Sequence, residues 1–241
     1  MGKMINMNNQ VVVVTGAAGQ LGMAVTRAFL ESGARVTCVD KARNRLQEVF
    51  AAGSGSANHL FAVSIDVNDP ESVKGMVAET IQRFGRLDVL VNTVGGFRAG
   101  TPVHDTPLET WDFMMDLNVR TAFITSQAVI PQMLKQGTGA IIHIAARPGL
   151  VGRANMAAYS ASKSAVIRLT ESMAAEYREA GIQVNCIIPG TIDTPQNRQD
   201  MPNADTSHWV NPESLAEVIM FLASEAARDI HGAALPVYGR S

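Results

Sequence analysis

Short runs of β-branched and apolar residues alternate along the chain with longer stretches in which apolar residues recur at helical spacing. The first run, Val11–Val14, is continuously apolar, which is typical of a strand buried on both faces of a sheet. Since a helical stretch follows almost every run, the pattern predicts a single-domain α/β fold, a Rossmann-type doubly wound parallel sheet of about seven strands with helices on both faces. The predicted strands are Val11–Val14, Ala34–Val39, Leu60–Ile65, Leu87–Asn92, Ala140–Ala145, Ile182–Ile188 and Ala233–Val237.

Glycine, proline and capping residues mark the ends of the predicted helices. Gly33 and Gly181 follow helical stretches, as C-terminal glycines commonly do. Asn211 precedes a proline, which is typical of the start of a helix. The predicted helices end near 32, begin near 41, cover 70–84, cover 107–136 in two stretches, run through Tyr159 to about 180, and begin at 211.

No break in this pattern separates two domains, and a chain of 241 residues can bury one sizeable core. We therefore predict one domain over residues 1–241, with residues 1–9 as a flexible N-terminus. Residues 53–56, a Gly-Ser-Gly-Ser segment, predict a surface loop. The polar, proline-containing segment 195–210 predicts a lid over a substrate, with a packed surface loop as the alternative.

Composition narrows the classes of function. Hydrophobic residues make up 46% of the chain and charged residues 17%, which indicates a globular protein. The formal net charge of −2 argues against a nucleic-acid partner or electrostatic attachment to a membrane. Because no apolar run could span a bilayer and the start of the chain lacks a signal-peptide core, we expect a cytoplasmic protein with no membrane partner.

Two cysteines, Cys38 and Cys186, lie inside apolar strand-like runs. This placement predicts buried thiols in a reducing compartment. Neither the cysteines nor the five histidines have the spacing of metal ligands, so we predict no metal site.

A glycine-rich segment lies between the first predicted strand and its helix, with glycines at Gly16, Gly19 and Gly22. Glycines permit a tight turn and let backbone N–H groups, here near Gln20 and Leu21, approach a pyrophosphate at the positive end of the helix. The segment predicts a dinucleotide site; a glycine-rich turn without a ligand is the alternative.

Asp40 ends the second predicted strand. A carboxylate there can accept hydrogen bonds from both ribose hydroxyls of NAD and would repel the 2′-phosphate of NADP. A helix cap is the alternative interpretation. Lys41 and Arg43 follow closely and could bind a phosphate, so Asp40 favours NAD(H) and leaves NADP(H) open.

Tyr159 and Lys163 are four residues apart on a predicted helix and therefore share one face. A phenol with its ordinary pKa of about 10 is a poor acid–base catalyst at neutral pH. We expect the neighbouring ammonium of Lys163 to stabilise the phenolate and lower that pKa, so that Tyr159 can transfer a proton.

From Val11 to Val237 these motifs stand in the order and at the spacing of the short-chain dehydrogenase/reductase family, which the chain resembles. The resemblance implies three catalytic residues, Tyr159, Lys163 and Asn118, with Asn118 anchoring a proton-relay water. It also implies cofactor contacts from the positions that match the family motifs: Gly16, Gly19, Gln20, Leu21, Gly22, Asp40, Asp66, Val67, Asn92, Tyr159, Lys163, Pro189, Gly190, Ile192 and Thr194.

Within this set the resemblance implies distinct tasks. Asp66 and Val67 would face the adenine, and Asn92 in Asn-Thr-Val-Gly would support the cofactor and the central sheet. The segment Pro189–Thr194 would surround the nicotinamide carboxamide.

Two positions depart from the family pattern. The family commonly has a serine that donates a hydrogen bond to the substrate carbonyl thirteen residues before the tyrosine, where this chain has Ala146. The usual middle glycine is replaced by Gln20, with Gly19 before it. Both departures, together with the aromatic Phe97 after a glycine pair and the stretch 192–209, resemble the dihydropteridine reductase branch, whose substrate is a quinonoid dihydropterin.

The substrate pocket has five candidate residues. Arg147 follows the vacant serine position, so its side chain would either enter the cleft or point to solvent or to a neighbouring subunit. Trp209 ends the expected lid. The candidates are Phe97, Ala146, Arg147, Arg153 and Trp209.

The leading hypothesis is an NAD(P)H-dependent oxidoreductase that transfers hydride to a C=O or a conjugated, dihydropteridine-like C=N of a small molecule. An ordinary 3-oxoacyl or ketone reductase that depends less on the serine position is the alternative, and a non-catalytic dinucleotide-binding protein is a third. The resemblance also implies a homo-oligomer, a tetramer or a dimer, formed through the long helices that include 111–136 and 156–180.

Overall fold

The computed structural model describes residues 5–50 and 58–240. The described strands are β1 (Val11–Thr15), β2 (Arg35–Asp40), β3 (His59–Val63), β4 (Val89–Asn92), β5 (Gly139–Ile144), β6 (Ile182–Pro189) and β7 (Ala234–Val237). The described α-helices are α1 (Gln20–Glu31), α2 (Arg43–Val49), α3 (Pro70–Phe84), α4 (Leu108–Met115), α5 (Thr121–Gln136), α6 (Ala157–Tyr177), α7 (Pro195–Asp200) and α8 (Pro212–Leu222).

Within the described residues the strands form one parallel sheet of seven, in the order β3-β2-β1-β4-β5-β6-β7. The fold class predicted from the apolar runs is therefore confirmed. The order reverses between β1 and β4, so the loops that follow these two strands diverge and open a crevice at the carboxyl edge of the sheet. Ligands of open α/β sheets bind at such a reversal.

Two apolar clusters cover the two faces of the sheet. Alternate residues of β1 show the division, since Val12 and Val14 pack with α1 and α8 while Val13 packs with α3, α5 and α6. Continuous apolar strands are thus buried on both sides, as the sequence pattern indicates.

The structure adds detail to two segments outside the predicted strands and helices. In the predicted N-terminal segment, Met7 is buried in the cluster beneath α1 and its N–H donates to the Ser32 carbonyl at 2.9 Å. The segment 195–210, predicted as a lid, contains α7 and a 3₁₀ turn over Thr206–His208. Thr194 caps α7 by accepting from Asn197 N–H at 3.1 Å. The glycine–serine loop expected at 53–56 lies outside the described residues.

A π-helical turn, Asp116–Arg120, joins α4 to α5. Such insertions shift the phase of a helix and are frequent at functional sites. Here the turn carries Asn118, whose side chain is buried.

Gly181 ends the helical region before β6 with φ of 74°, and a Cβ on it would lie 2.5 Å from the Gly137 carbonyl oxygen. We expect Gly181→Ala to lower the free energy of unfolding by about 2 kcal/mol, since it combines left-handed strain with a backbone clash. The melting temperature should fall by roughly 4–8 °C in differential scanning calorimetry.

Gly75 provides the matched control, because it lies on the exposed face of α3 and a Cβ added to it would have nothing within 4 Å. Gly75→Ala should stabilise the protein by about 0.5–1 kcal/mol through helix propensity alone. Equal effects of the two substitutions would contradict the assigned backbone geometry.

Candidate active site

The glycine-rich turn after β1 is held against the segment after β4. Gly16 has φ of 65°, and a Cβ on it would lie 3.1 Å from both Thr93 Oγ1 and a Val94 methyl carbon. Thr93 Oγ1 donates to the Thr15 carbonyl at 2.6 Å. A Cβ on Gly22 would collide with the Gly16 carbonyl oxygen, so glycine at 22 lets α1 approach the turn closely.

The N-terminus of α1 is free to receive an anion. Gly19 is the N-cap and contributes no side-chain cap, and the first turn has no acidic side chain. The first N–H groups of a helix, here including those of Gln20 and Leu21, have no acceptor within the helix. This end of α1 therefore fits a pyrophosphate, which its dipole would also attract.

Asp40 lies at the end of β2, beside this turn. Its Oδ2 accepts from Ala18 N–H at 3.3 Å and its Oδ1 accepts from Ala42 N–H at 2.9 Å. The N-cap of α2 is Ala42, without a side-chain cap, so Asp40 does not serve as the helix cap. Both carboxylate oxygens are fixed between the turn and α2, where they fit the ribose hydroxyls of a dinucleotide.

Lys41, which could have bound a phosphate, is engaged by Asp66. Lys41 Nζ lies 2.6 Å from Asp66 Oδ2. The hydrogen bond from Lys41, followed by that from Asn68 N–H, lowers the pKa of Asp66. The neighbouring Val67 is buried. Asp66 and Val67 thus lie after β3 at the same edge as Asp40, and Lys41 is partly neutralised there.

Tyr159 and Lys163 lie on α6 and face the crevice region. Lys163 is 5% exposed, and its Nζ donates to the Ile144 carbonyl at 2.9 Å. Burial lowers the pKa of Lys163 to about 8, so the side chain is still an ammonium at neutral pH.

The expected depression of the Tyr159 pKa is wrong. Burial raises the pKa of Tyr159 to about 12, and no charge offsets it. The reason is that the ammonium of Lys163 is directed to a backbone carbonyl of β5. Tyr159 is therefore a neutral phenol, a proton donor rather than a phenolate.

Asn118 clamps the peptide of Gly96. Gly96 N–H donates to Asn118 Oδ1 at 3.0 Å, and Asn118 Nδ2 donates to the Gly96 carbonyl at 3.2 Å. The same Nδ2 lies 3.0 Å from Ser162 Oγ on α6. A Cβ on Gly95 would lie 3.2 Å from Lys163 Nζ, so this glycine lets the clamped segment pass directly over the ammonium.

Phe97 directly follows the clamped residue Gly96 in the chain. Its ring meets that of Tyr159 edge-on, with 4.8 Å between the centroids. The side chain is nevertheless 59% exposed. An exposed aromatic ring beside a phenol is a surface on which a planar or apolar substrate can pack.

Ala146 follows β5 and presents only a methyl group. The residue is 7% exposed, and its carbonyl accepts from Gly149 N–H at 2.8 Å. Gly149 packs against the backbone of Lys163, where a Cβ would lie 2.7 Å from the carbonyl carbon. The serine position of the family is thus beside α6, and it holds no hydrogen-bond donor.

Two arginines predicted to line the pocket, Arg147 and Arg153, are exposed. The Arg147 guanidinium lies 5.1 Å from the centroid of the Tyr238 ring. Arg153 is exposed, and its carbonyl accepts from Met156 N–H at the start of α6.

The segment 195–210, predicted as a lid, is hydrogen-bonded near both of its ends to the residues that follow β6. Val210 N–H donates to the Thr191 carbonyl and Asp193 N–H donates to the Val210 carbonyl, both at 2.8 Å. Asn197 Nδ2 donates to the Ile192 carbonyl at 2.8 Å. These bonds join the predicted nicotinamide segment to residues 195–210.

The remaining predicted residues fall at the same edge. Pro189 ends β6, and Gly190 N–H donates to the Val237 carbonyl at 2.9 Å. Trp209 is half-buried beside the C-terminal segment, since a Cβ on Gly239 would lie 3.3 Å from its carbonyl oxygen.

A buried polar network that the sequence analysis missed lies beneath Lys163. Asn92 Oδ1 accepts from Thr125 Oγ1 at 2.8 Å and from Thr15 Oγ1 at 3.3 Å. Its Nδ2 lies 3.1 Å from His143 Nδ1. Because Nδ2 can only donate, His143 Nδ1 accepts and Nε2 carries the proton. The available signal was a histidine placed within the apolar run of β5.

His143 is fully buried, and burial followed by the charge of Lys163 lowers its pKa to about 4. Its Nε2 has no hydrogen-bond partner among the described residues. The imidazole is therefore neutral at physiological pH, and protonating it would put a second cation under Lys163.

This burial predicts acid-sensitive stability. Because the folded pKa lies below the ordinary value of about 6.5, the stabilising effect of neutral His143 is complete above pH ~6.5 and is lost as pH falls through ~4. Between pH ~7 and ~4, wild type should lose about 3 kcal/mol of unfolding free energy more than His143→Asn in urea titrations.

The variant His104→Asn is the control, since the His104 side chain is exposed and lies beside Asp105. It should keep the pH dependence of the wild type. If His143→Asn also kept it, the assigned burial of the imidazole would be wrong.

No group of three or more histidine, cysteine, aspartate or glutamate side chains could hold a metal ion within residues 5–50 and 58–240. Over the same residues, none of the helices combines the length and the apolar character that crossing a membrane requires.

Comparison with known proteins places this geometry in a family. The family model described as short chain dehydrogenase matches residues 10–205. The chain is 36% identical over 244 residues to 2-(R)-hydroxypropyl-CoM dehydrogenase of Xanthobacter autotrophicus, covering 96% of this chain and 98% of that protein.

Two solved structures share the whole fold. The crystal structure of gox2181 has a TM-score of 0.90 at 30% identity and covers 97% of this chain and 96% of that one. The structure of ElxO with NADP bound has a TM-score of 0.86 at 27% identity and covers 95% of this chain and 97% of that one. The chain belongs to the short-chain dehydrogenase family and is an NAD(P)-dependent oxidoreductase.

Proposed function

We propose that the protein transfers hydride between NAD(H) and a C=O or conjugated C=N carbon of a small molecule, with Tyr159 and Lys163 managing the proton and without a serine. The observation that carries this proposal is the pair Tyr159 and Lys163 on α6, next to a methyl group at Ala146. When bound, the nicotinamide supplies or accepts the hydride.

The protonation states suit reduction. Since burial raises the pKa of Tyr159 to about 12, its hydroxyl holds a proton at neutral pH and can donate it to an oxygen or nitrogen that gains negative charge. With its pKa lowered to about 8 by burial, Lys163 is charged at neutral pH. Its ammonium would hold the cofactor ribose and stabilise the phenolate that remains after the transfer.

The proposed preference for NAD(H) over NADP(H) rests on the side chains of Asp40 and Lys41. Asp40 offers two fixed carboxylate oxygens, and the salt bridge with Asp66 reduces the positive charge that Lys41 could offer a 2′-phosphate. We therefore favour NAD(H). NADP(H) is the second candidate, since ElxO, a structural relative, binds NADP.

The acceptor proposal rests on Ala146. Loss of one oxyanion donor costs about 10²–10³ in rate in other enzymes, so a simple ketone would lose much of its activation here. Acceptors that are already polarised, such as quinone-like rings, imines or quinonoid dihydropterins, depend less on that donor. Quinonoid dihydropterins are included in this proposal because of Ala146 and Phe97, two of the residues on which the predicted likeness to dihydropteridine reductases rests.

An ordinary ketone reductase or secondary-alcohol dehydrogenase is the second candidate function. It is favoured by the relative whose name gives a hydroxypropyl group as its substrate. A non-catalytic dinucleotide-binding protein is disfavoured, because Tyr159, Lys163 and Asn118 are all present and lie together.

Restoring the missing donor should change acceptor preference. We expect Ala146→Ser to raise kcat/KM for a simple ketone such as cyclohexanone by about 10–100-fold, and to change kcat/KM for the activated ketone isatin by less than ~3-fold. Product formation with NADH, quantified by liquid chromatography, measures both.

Tyr159→Phe is the reference for lost proton transfer and should lower both rates by about 10²–10⁴-fold. If wild type preferred cyclohexanone and Ala146→Ser changed nothing, the interpretation of Ala146 would fail. Tight NADH binding with no turnover of any acceptor would instead favour the non-catalytic protein.

Removing the Asp40 carboxylate should change cofactor preference. In Asp40→Ala we expect the Kd of NADH to rise about tenfold or more, because charge-assisted hydrogen bonds are worth roughly 1.5–3 kcal/mol each. The Kd of NADPH should fall, because the repulsion of its 2′-phosphate disappears. Quenching of protein fluorescence on titration gives both constants.

Glu48→Ala removes an exposed carboxylate from α2 and is the control; both Kd values should stay near those of the wild type. An unchanged NADH affinity in Asp40→Ala would refute the ribose contact.

We also propose a cytoplasmic homo-oligomer, a tetramer or a dimer. In support, Leu108, Trp111 and Phe123 on α4 and α5 are exposed apolar side chains, and contiguous exposed apolar surface on soluble proteins usually marks an interface. Cys38 and Cys186 are buried free thiols, which suits a reducing compartment.

A further inference from the structure

Three loop segments meet around the N-terminus of α6. Gly100 N–H donates to the Asn155 carbonyl at 2.8 Å, which joins the segment after β4 to the segment before α6. The turn Arg147–Gly149 packs against the backbone of Lys163 through Gly149. Together these segments form the mouth of the active site, defined here as residues 97–100 and 147–156.

The mouth carries three exposed arginines, one in residues 97–100 and two in residues 147–156. Arg98 follows Phe97, whose ring touches Tyr159. Arg147 follows Ala146, and Arg153 lies six residues before Tyr159 in the chain. The segments that border the helix of Tyr159 thus carry three arginines from separate parts of the sequence.

These guanidinium groups are not neutralised by the protein. Among the described residues, none of Arg98, Arg147 and Arg153 forms a salt bridge. Arg198 in the nearby lid segment differs, since it pairs with Asp193 at 2.6 Å. In a chain with a formal net charge of −2, the mouth is a local excess of positive charge.

Two of the three guanidinium groups are held by aromatic rings. Arg98 lies 3.5 Å from the centroid of the Phe113 ring, and Arg147 lies 5.1 Å from that of Tyr238. Stacking uses the flat face of a guanidinium and leaves its N–H edge for a bidentate bond to an oxyanion. The first turn of α6 also carries no acidic side chain that would oppose an anion.

We propose that the mouth binds an anionic group of the substrate, a carboxylate, sulfonate or phosphate remote from the reducible carbon, through Arg98, Arg147 and Arg153. This inference deepens the proposed function and rests on it. The anion would belong to the same substrate whose reacting end would lie beside Phe97 and α6. The substrate class is thus an acidic, ring-containing or apolar carbonyl compound or imine.

The test compares two acceptors of equal size, isatin-5-carboxylate and isatin-5-carboxamide, with the purified full chain. Wild type should show a KM for the carboxylate at least about tenfold lower than that for the carboxamide, the difference expected for one charge-assisted contact. The ratio should fall as ionic strength rises, because salt screens exposed charges. In the triple variant R98Q/R147Q/R153Q the KM ratio should approach one.

Two matched variants test whether a lost preference for the carboxylate comes from the arginine side chains or from a change in the fold. The triple variant R98K/R147K/R153K keeps the charges and loses the planar fork, so it should retain part of the preference. Arg228→Gln removes an exposed arginine at the opposite edge of the sheet. Arg228 follows Ala227, whose carbonyl accepts a hydrogen bond from the Gln183 side chain at the start of β6. It should keep the full preference.

A binding measurement separates this inference from the proposed function. Isothermal titration calorimetry of both compounds against the protein–NAD⁺ complex reports affinity without turnover. If neither compound is reduced but the carboxylate binds at least about tenfold tighter in an arginine-dependent way, the proposed function fails and the anion site stands.

The opposite result is equally decisive. Reduction of both compounds with equal KM, or a preference that survives in the glutamine variant, would overturn the anion site and leave the oxidoreductase proposal intact. Failure of the carboxylate to bind would also overturn the anion site.

Discussion

The active site depends on the pair of hydrogen bonds between the Asn118 amide and the Gly96 peptide. Asn118 sits on the π-helical turn between α4 and α5, Gly96 follows β4, and the same amide reaches Ser162 on α6. One buried side chain thus fixes three elements relative to one another. Because an unsatisfied buried amide is costly, the arrangement is held as a unit, and Phe97 takes its place beside Tyr159 as a consequence.

Burial shifts the pKa values of Tyr159 and Lys163, the two groups of the proposed proton transfer, in opposite directions. It raises the pKa of Tyr159 and lowers that of Lys163, since in each case the low-dielectric surroundings disfavour the charged form. The site therefore holds a neutral phenol and, nearby, an ammonium whose pKa is lowered. Contact between the phenolate and the ammonium would offset the cost of burying each charge, so such contact would favour loss of the proton from Tyr159.

Much of this could be predicted from the sequence, because the apolar runs fix which residues are buried on both faces and the glycines fix where the backbone must turn. The helix Pro70–Phe84 agrees with its prediction residue by residue, with a proline start and a glycine end. Contacts between distant segments could not be predicted in this way. The Asn118 clamp, the buried His143 and the packing of Met7 depend on tertiary neighbours, and the pKa of Tyr159 depends on where the Lys163 ammonium points.

The two proposals, an acceptor activated without a serine and an anion bound at the mouth, address one physical problem. An acceptor that lacks a hydrogen bond at its reacting oxygen must be oriented by the rest of its structure, and remote binding energy can serve that purpose. The Phe97 ring lies beside Tyr159, and the guanidinium groups of Arg98 and Arg147 are stacked on aromatic rings. If the proposed anion site is correct, contact with the ring and with the charges would hold the acceptor against Tyr159 without a donor at position 146.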